Sequence, residues 1–182
     1  SQFAGRASSI NLTSIIQGFW NGTSMVQDTM RVYLRNTTAP YVITDSSKVF
    51  MSSSGNSVIS FLNTGNETKY ITLRHRNSLD TWSNSGVTFK IDSTINYDFT
   101  TAANKAYGNN LILNAGKYCM YNGNANGDPG IDLTDIVLVY NAGSTFTVGY
   151  VKSDATGDNF VDLNDLIISQ NNATLFANTI TP

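Results

Sequence analysis

Apolar and polar residues alternate along the first hundred positions, a pattern that predicts β-strands with one buried and one exposed face. Met30, Val32 and Leu34 lie on one side of such a strand. The alternation recurs in four later segments: Ile59 and Phe61; Ile71 and Leu73; Val87, Phe89 and Ile91; Ile95, Tyr97 and Phe99. Turn-forming residues separate the segments. We therefore predict about seven strands in an antiparallel β-sandwich of the immunoglobulin or transthyretin kind.

The pattern changes near Ala102, where the clean alternation ends but apolar residues remain frequent. A segment of this composition is expected to pack against folded structure rather than to form a free linker. We predict a mainly β protein of two domains, with a β-sandwich at residues 1–105 and a small α-helical domain at residues 106–182. The segment that begins at Ala102 is expected to pack between them.

The second domain contains an internal repeat with an offset of thirty residues. The stretch NANGDPGIDLTD at residues 124–135 corresponds to DATGDNFVDLND at residues 154–165. This similarity predicts a duplicated unit of one loop followed by one helix. The apolar residues expected to share a helix face are Leu133, Ile136, Val137 and Tyr140 in the first copy and Leu163, Leu166 and Ile167 in the second.

Both loops carry oxygen donors at the spacing that calcium requires. Calcium takes six to eight oxygen ligands, which a twelve-residue loop supplies from positions 1, 3, 5, 7, 9 and 12. In the first loop these positions are Asn124, Asn126, Asp128, the Gly130 carbonyl, Asp132 and Asp135. In the second loop they are Asp154, Thr156, Asp158, the Phe160 carbonyl, Asp162 and Asp165. Position 8 is apolar in both loops, Ile131 and Val161, and is expected to pin each loop to a core.

A simpler interpretation of one such loop is a turn whose Asn and Asp side chains bond only their own backbone. Two copies in register, each with acids at positions 5, 9 and 12, favour metal binding instead. Crowded carboxylates repel by about 1 kcal/mol per pair unless a cation neutralises them. We therefore predict two structural Ca²⁺ sites. The second loop has four carboxylates against three and is expected to bind more tightly, while Pro129 at position 6 departs from the usual glycine.

The two loops and their helices resemble a type I dockerin, the duplicated calcium-loop module of secreted bacterial proteins. Together with YITLRHRNSLDTWS and GKYCMYNGNANGD, they resemble a sandwich-plus-dockerin-like unit of secreted and cell-surface bacterial proteins, over roughly residues 10–182. The resemblance implies an extracellular or cell-surface location. Dockerins that bind cohesins typically use small polar residues at loop positions 10 and 11, whereas this chain has Leu133-Thr134 and Leu163-Asn164. A cohesin partner is therefore doubtful on the sequence.

The composition agrees with a neutral extracellular protein. Only 13% of the residues are charged, and Asn, Ser and Thr carry most of the polarity. No apolar stretch is long enough to span a bilayer, and the single cysteine, Cys119, is expected to be a buried apolar side chain. Five Asn-x-Ser/Thr sequons would be glycosylation acceptors in a secreted protein, and they begin at Asn11, Asn21, Asn36, Asn66 and Asn172.

Charge is segregated along the chain. Residues 1–117 hold ten Lys and Arg against six Asp and Glu, a net charge of +4, whereas residues 118–182 hold one Lys against seven Asp, a net charge of −6. Each half is thus an electrostatic complement of the other. Basic residues form no cluster beyond Arg74-His75-Arg76, which disfavours nucleic acid as a partner.

The sequence carries no recognisable catalytic signature. It has one histidine, His75, no Gly-x-Ser-x-Gly elbow, and no paired acids outside the two loops. We assign His75 a structural role at a sheet edge and name no catalytic residue. A non-enzymatic protein is therefore expected.

The favoured function is that of a secreted structural protein, a self-assembling subunit of a filament or surface layer. In this hypothesis the positive sandwich of one copy meets the negative calcium domain of the next, and residues 1–9 pack on a neighbour as an added strand. The alternative is a carbohydrate-binding or adhesin module of a larger secreted protein, in which Trp20 or Trp82 would present an aromatic surface to a glycan. The simpler role for both tryptophans is to close the sandwich core.

Overall fold

The computed structural model describes residues 7–182, which form ten strands and two α-helices. In chain order these are β1 (Ser8–Thr13), β2 (Asp28–Arg35), β3 (Ile43–Met51), β4 (Asn56–Phe61), β5 (Thr68–Arg74), β6 (Thr81–Trp82), β7 (Val87–Thr88), β8 (Thr94–Asp98), β9 (Ile112–Asn114), β10 (Lys117–Cys119), α1 (Leu133–Ser144) and α2 (Leu163–Thr174). The protein is mainly β, as the alternating pattern predicts.

Two sheets form the sandwich. One has the strand order β4, β1, β8, and its central strand β1 pairs antiparallel with β4 and parallel with β8. The other has the order β3, β2, β5, β6, with β7 also paired to β5, and all of its pairings are antiparallel. The predicted antiparallel arrangement is therefore correct except at the β1–β8 pair, where strands distant in sequence run in the same direction.

The core lies between these sheets and contains the apolar positions that the alternation predicts. Met30, Val32 and Leu34 of β2 are buried, and so are Ile71 and Leu73 of β5. Burying each such side chain contributes about 1.5–3 kcal/mol. The predicted strand over residues 87–91 is shorter in the structure, because it pairs only at Val87–Thr88 before Phe89 enters the core.

The segment after Ala102 packs on the sandwich. It forms two short 3₁₀ turns and the hairpin of β9 and β10. Leu111, Cys119 and Met120 belong to the same buried cluster as the sheet residues. The segment therefore adds side chains to the sandwich core, and the domain boundary between residues 105 and 106 remains a prediction.

The two repeats fold alike. Each helix begins at loop position 10, Leu133 or Leu163, and is twelve residues long. Asp132 and Asp162 cap the two helices, and each cap is completed by the carboxylate three residues later, Asp135 or Asp165. The helix starts are thus set by the loop acids themselves.

Of the apolar residues predicted to share one helix face, only Ile136 and Leu166 are half-buried, and the others are exposed. In α1 the buried residues are Asp135 and Val139, whereas Leu133, Val137 and Tyr140 are exposed. In α2 Leu163 and Ile167 are likewise exposed. The cause is the capping carboxylate, which must point into its loop and so fixes the rotation of the helix. Apolar side chains on the opposite side are left facing solvent.

Candidate functional site

The two predicted calcium loops have matching hydrogen-bond networks centred on position 12. In the first loop Asp135 accepts from the backbone N–H of Asn126 at 3.1 Å and of Asp132 at 2.9 Å. In the second loop Asp165 accepts from the N–H of Thr156 and of Asp162, both at 2.8 Å. Both loops are therefore folded around a buried carboxylate.

Position 1 organises the first half of each loop. The side-chain oxygen of Asn124 accepts from the N–H of Gly127 at 2.8 Å, and that of Asp154 accepts from Gly157 at 2.7 Å. Gly157 adopts a left-handed backbone with φ +79°, which glycine tolerates best. The two loops therefore follow the same backbone path, although position 1 is Asn124 in one and Asp154 in the other.

Each loop is also paired with the chain that follows the other helix. Ile131 donates its N–H to Ala177, and Val161 donates to Thr147. Both position-8 side chains, Ile131 and Val161, are buried in small apolar clusters. The prediction that position 8 pins each loop to a core is confirmed, and the repeats pack as an approximately symmetric pair.

The electrostatics of the loops favour a cation. Asp135 and Asp165 are fully buried, and this burial raises the pKa of both carboxyls. Nearby Asp128 raises the pKa of Asp135 further, and Asp154 does the same for Asp165. A cation close to these groups would relieve both effects.

The donor set is compatible with calcium, but the acids are not gathered into one cluster. Among residues 7–182, no three His, Cys, Asp or Glu side chains converge as a metal site would require. The remaining predicted donors are Asn and Thr oxygens and two backbone carbonyls, which are hard ligands of the kind that calcium takes. Calcium at Asn124, Asn126, Asp128, Gly130, Asp132, Asp135 and at Asp154, Thr156, Asp158, Phe160, Asp162, Asp165 stays a prediction.

The second loop is joined to the sandwich by Arg76. This guanidinium lies 3.3 Å from the carboxylate of Asp154 and also donates to the carbonyl of Val151. Asn77 donates to the carbonyl of Asp154 at 2.7 Å. One of the four carboxylates in the second loop is therefore already paired, which reduces the charge advantage expected over the first loop.

Asp28, the first residue of β2, also contacts Arg76 and completes a junction between the sandwich and the second loop. It accepts hydrogen bonds from Tyr150 at 2.7 Å, from His75 at 3.0 Å and from Arg76 at 3.2 Å. Burial alone would raise the pKa of Asp28, but the His75 and Tyr150 hydrogen bonds outweigh it and hold the pKa well below its usual range. The junction ties the sandwich to the segment between the two loops.

The predicted structural role of His75 agrees with its contacts. His75 follows β5 directly, its side chain is buried, and it contacts Asp28 through Nε2 and Ser78 through Nδ1. Burial lowers the pKa of His75, so the ring is neutral at pH 7. Ser78 also donates to Asn122 at 3.3 Å. The side chains of Asp28, His75 and Ser78 therefore link the start of β2 and the segment after β5 to Asn122.

An apolar groove lies between the two repeats. It has a volume of about 320 Å³ and is lined by buried and exposed side chains of both helices and of the second loop. Its most exposed members are Tyr140, Phe146 and Leu163, which are 61%, 74% and 66% accessible. We name this surface the helical groove. Sequence reasoning missed it because an apolar helix face ordinarily packs inward.

The predicted aromatic platforms are not free surfaces. Trp82 is buried and packs edge-on against Tyr41 and Tyr70. Trp20 is half-buried against the core, and its indole N–H donates to the carbonyl of Ala115 at 3.3 Å. Both tryptophans therefore take the simpler structural role.

Two further expectations concern single residues. Cys119 is buried, and burial raises the pKa of its thiol to about 12, which agrees with an unreactive apolar side chain. Asn172 is also fully buried and donates to Gln17 and to the carbonyl of Asn122. The sequon at Asn172 is therefore inaccessible to glycosylation in the folded protein.

The proposed exchange of residues 1–9 lies mostly outside the described residues, because the structure describes the chain only from residue 7. Ser8 and Ser9 belong to β1, which is flanked by β4 on one side and β8 on the other within the same chain. These two residues are thus paired internally. Within residues 7–182 neither helix has the length and apolarity needed to cross a membrane.

Comparisons with known proteins support the fold. No protein-family model matches the chain, and a search of curated proteins found no match. Two crystal structures of a type II cohesin–X–dockerin complex from Acetivibrio cellulolyticus are similar. A chain of the N-terminal interface mutant is 16% identical with a TM-score of 0.51, covering 91% of this chain and 92% of that one. A chain of the C-terminal interface mutant is 15% identical with a TM-score of 0.51, covering 92% and 95%.

At this level of identity the likeness establishes the fold alone. It agrees with the β-sandwich described above. It gives no support to the expectation that a cohesin is a doubtful partner, because the similar structures are complexes that contain a cohesin and a dockerin.

Proposed function

We propose that this chain is a non-enzymatic, calcium-stabilised module of an extracellular protein assembly, and that it docks a protein partner through the helical groove. The observation that carries the proposal is the exposure of Tyr140, Phe146 and Leu163 around one apolar groove. Exposed apolar patches of this kind are typical of interaction sites. Large aromatic side chains supply most of the binding energy in such interfaces.

The calcium loops have a mechanical role in this proposal. They hold α1 and α2 in the rotation that turns the groove outward, since Asp135 and Asp165 both complete a helix cap and are predicted ligands. When bound, calcium would supply the positive charge that neutralises these buried carboxylates. Asp132 and Asp162 would serve as ligands at position 9 while capping their helices. The dockerin-like interpretation of the repeats belongs to the proposal as well.

The first candidate partner is a second copy of the chain. Charge segregation favours it, because residues 1–117 carry a net charge of +4 and residues 118–182 carry −6. The sandwich also exposes apolar side chains, including Phe50, Val58 and Leu62, that could enter the groove of the next copy. A contact between two different faces does not close on itself and builds a filament.

The second candidate partner is a cohesin-like β-sandwich. The similarity to chains of a cohesin–X–dockerin complex favours it. Both candidates would bind the same groove, and both would require calcium in the two loops. They differ in whether the purified chain associates by itself.

Sedimentation velocity at millimolar calcium tests the proposal. The chain is expected to form concentration-dependent oligomers, and the double variant Phe146→Ser/Leu163→Ser is expected to remain monomeric. Leu113→Ser is the matched control, because Leu113 is exposed on β9 away from the groove. A wild-type chain that stays monomeric would rule out the first candidate, and a failure to retain cohesin domains on a column would then rule out the second.

A further inference from the structure

A second cleft lies where the sandwich meets the first loop. Its volume is about 570 Å³, and it shares no lining residue with the helical groove. Five of the eleven Lys and Arg residues of the chain line it: Arg31, Lys48, Arg74, Arg76 and Lys152. The carboxylates in its lining are Asp80 and Asp128. A chain whose net charge is −2 thus gathers positive charge at one place.

The cations stand in a row across three strands. Arg31 of β2 lies directly opposite Lys48 of β3 and directly opposite Arg74 of β5. Like charges at facing positions of a sheet are destabilising. Asp80 pairs with Arg74, but within residues 7–182 no ion pair holds Arg31 or Lys48. The row therefore carries positive charge that the fold itself leaves uncompensated.

We propose that this cleft binds an anionic polysaccharide, specifically a chain of uronic acid residues. An anion bridging Arg31 and Lys48 would replace their repulsion with two charge-assisted hydrogen bonds. The local field of the cleft would attract a polyanion although the whole chain is weakly negative. The site is distinct from the tryptophan surfaces considered from the sequence.

The cleft suits an anionic sugar chain better than an acidic peptide for a chemical reason. A polyuronate carries one carboxylate on every ring, and each ring also brings hydroxyl groups and an apolar C–H face. An acidic peptide presents carboxylates without those hydroxyl groups. The lining of the cleft beside the cations therefore favours the sugar chain.

The rest of the cleft has the chemistry that sugar rings need. Thr29 and Thr179 are hydroxyl-bearing residues of its lining. Tyr150 also lines it and is 61% exposed. The Tyr150 ring combines an apolar surface with a polar surrounding, which suits stacking on the C–H face of a sugar.

Calorimetric titration with a galacturonic acid hexamer tests the proposal, with the same calcium concentration in both solutions. The wild-type chain is expected to bind the hexamer and not its methyl ester. Arg31→Gln/Lys48→Gln should lower the affinity by about tenfold or more, since two charge-assisted contacts are lost. Lys90→Gln/Lys117→Gln removes the same charge at exposed sites outside the cleft and should change the affinity by less than about twofold.

Three outcomes would overturn the proposal: no binding of the hexamer by the wild-type chain, equal losses in the two double variants, or tighter binding of a polyglutamate of matched charge. The last outcome would indicate an acidic protein surface as the ligand. Arg31 and Lys48 are exposed and repel each other, so neither double variant should melt below the wild-type temperature. In sedimentation velocity the Arg31→Gln/Lys48→Gln variant should behave like the wild-type chain, because the cleft shares no lining residue with the helical groove. A loss of hexamer binding in this variant is then assigned to the cleft.

Discussion

Arg76 and Asp154 form an ion pair of 3.3 Å that joins the sandwich to the first position of the second loop. Neither residue is more than slightly exposed. The same guanidinium contacts Asp28 and stacks 4.0 Å over the ring of Tyr150. The two parts of the molecule therefore meet through buried charge as well as through apolar packing, and the stability of one depends on the other.

Replacing Arg76 with alanine should destabilise the protein strongly. The change leaves the buried carboxylates of Asp28 and Asp154 without their cation, and such a loss costs about 3 kcal/mol or more. Urea unfolding at fixed calcium measures the effect. Arg31→Ala is the control, because Arg31 is exposed and its removal should change the free energy of unfolding by less than about 0.5 kcal/mol. Similar effects for both variants would contradict a bridging role for Arg76.

Chelation should lower the melting temperature if the two loops bind calcium. At a calcium concentration one hundred times the dissociation constant, one site contributes about 2.7 kcal/mol. Differential scanning calorimetry with EGTA and then with restored calcium measures this change. A chain that melts at the same temperature in both conditions would refute the calcium assignment.

The two sites can be separated by matched changes at loop position 5. Asp128→Asn and Asp158→Asn each remove one charge from an exposed position of one loop. Each variant should lose the calorimetric signal of its own site and retain the other. Asp158→Asn should remove the tighter site, and a tighter site in the first loop would show that the pairing of Asp154 with Arg76 outweighs the extra carboxylate.

Stability should fall as the pH drops below about 6.5. Burial lowers the pKa of His75 from its ordinary value of 6.5, so in this range the unfolded chain takes up a proton that the folded chain refuses. The slope is at most about 1.4 kcal/mol per pH unit. Thermal melts between pH 7 and pH 5 in calcium-free buffer measure this slope as the difference between the wild-type chain and His75→Gln, because the raised pKa of Asp135 and Asp165 acts in the opposite direction in both proteins. An unchanged slope in the variant would assign the effect to other groups.

Gly157→Ala should be more damaging than Gly116→Ala, although both glycines have left-handed backbones. A Cβ at Gly157 would lie 2.7 Å from the ring of Phe19, which is itself buried in the core. A Cβ at Gly116 would meet nothing within 4 Å. The second change should therefore cost about 1 kcal/mol from backbone strain alone, and the first about 2 kcal/mol more. Equal values in urea unfolding would contradict the close packing of the second loop on Phe19.

Periodicity was sufficient for β2, β4, β5 and β8 and for the repeat, whereas β1, β3, β6, β9 and β10 lie outside the segments that it identified. The alternation at Met30, Val32 and Leu34 placed β2 and its buried face correctly, since a side chain in a strand can point only to one of two sides. Asp132 and Asp162 fix the starts of α1 and α2 for a similarly local reason, because a helix cap acts within a few residues.

The sequence by itself determined β2, β4, β5 and β8 and the two loop-and-helix repeats, because these depend on neighbours along the chain. Only the tertiary structure decided which way the helices face. Asp135 and Asp165 must turn inward to reach their loop N–H groups, and this rotation leaves Tyr140 and Leu163 outside. The row of Arg31, Lys48 and Arg74 was equally hidden, because strand register brings together cations that are distant in sequence. Contacts between distant segments depend on a geometry that a linear pattern does not contain.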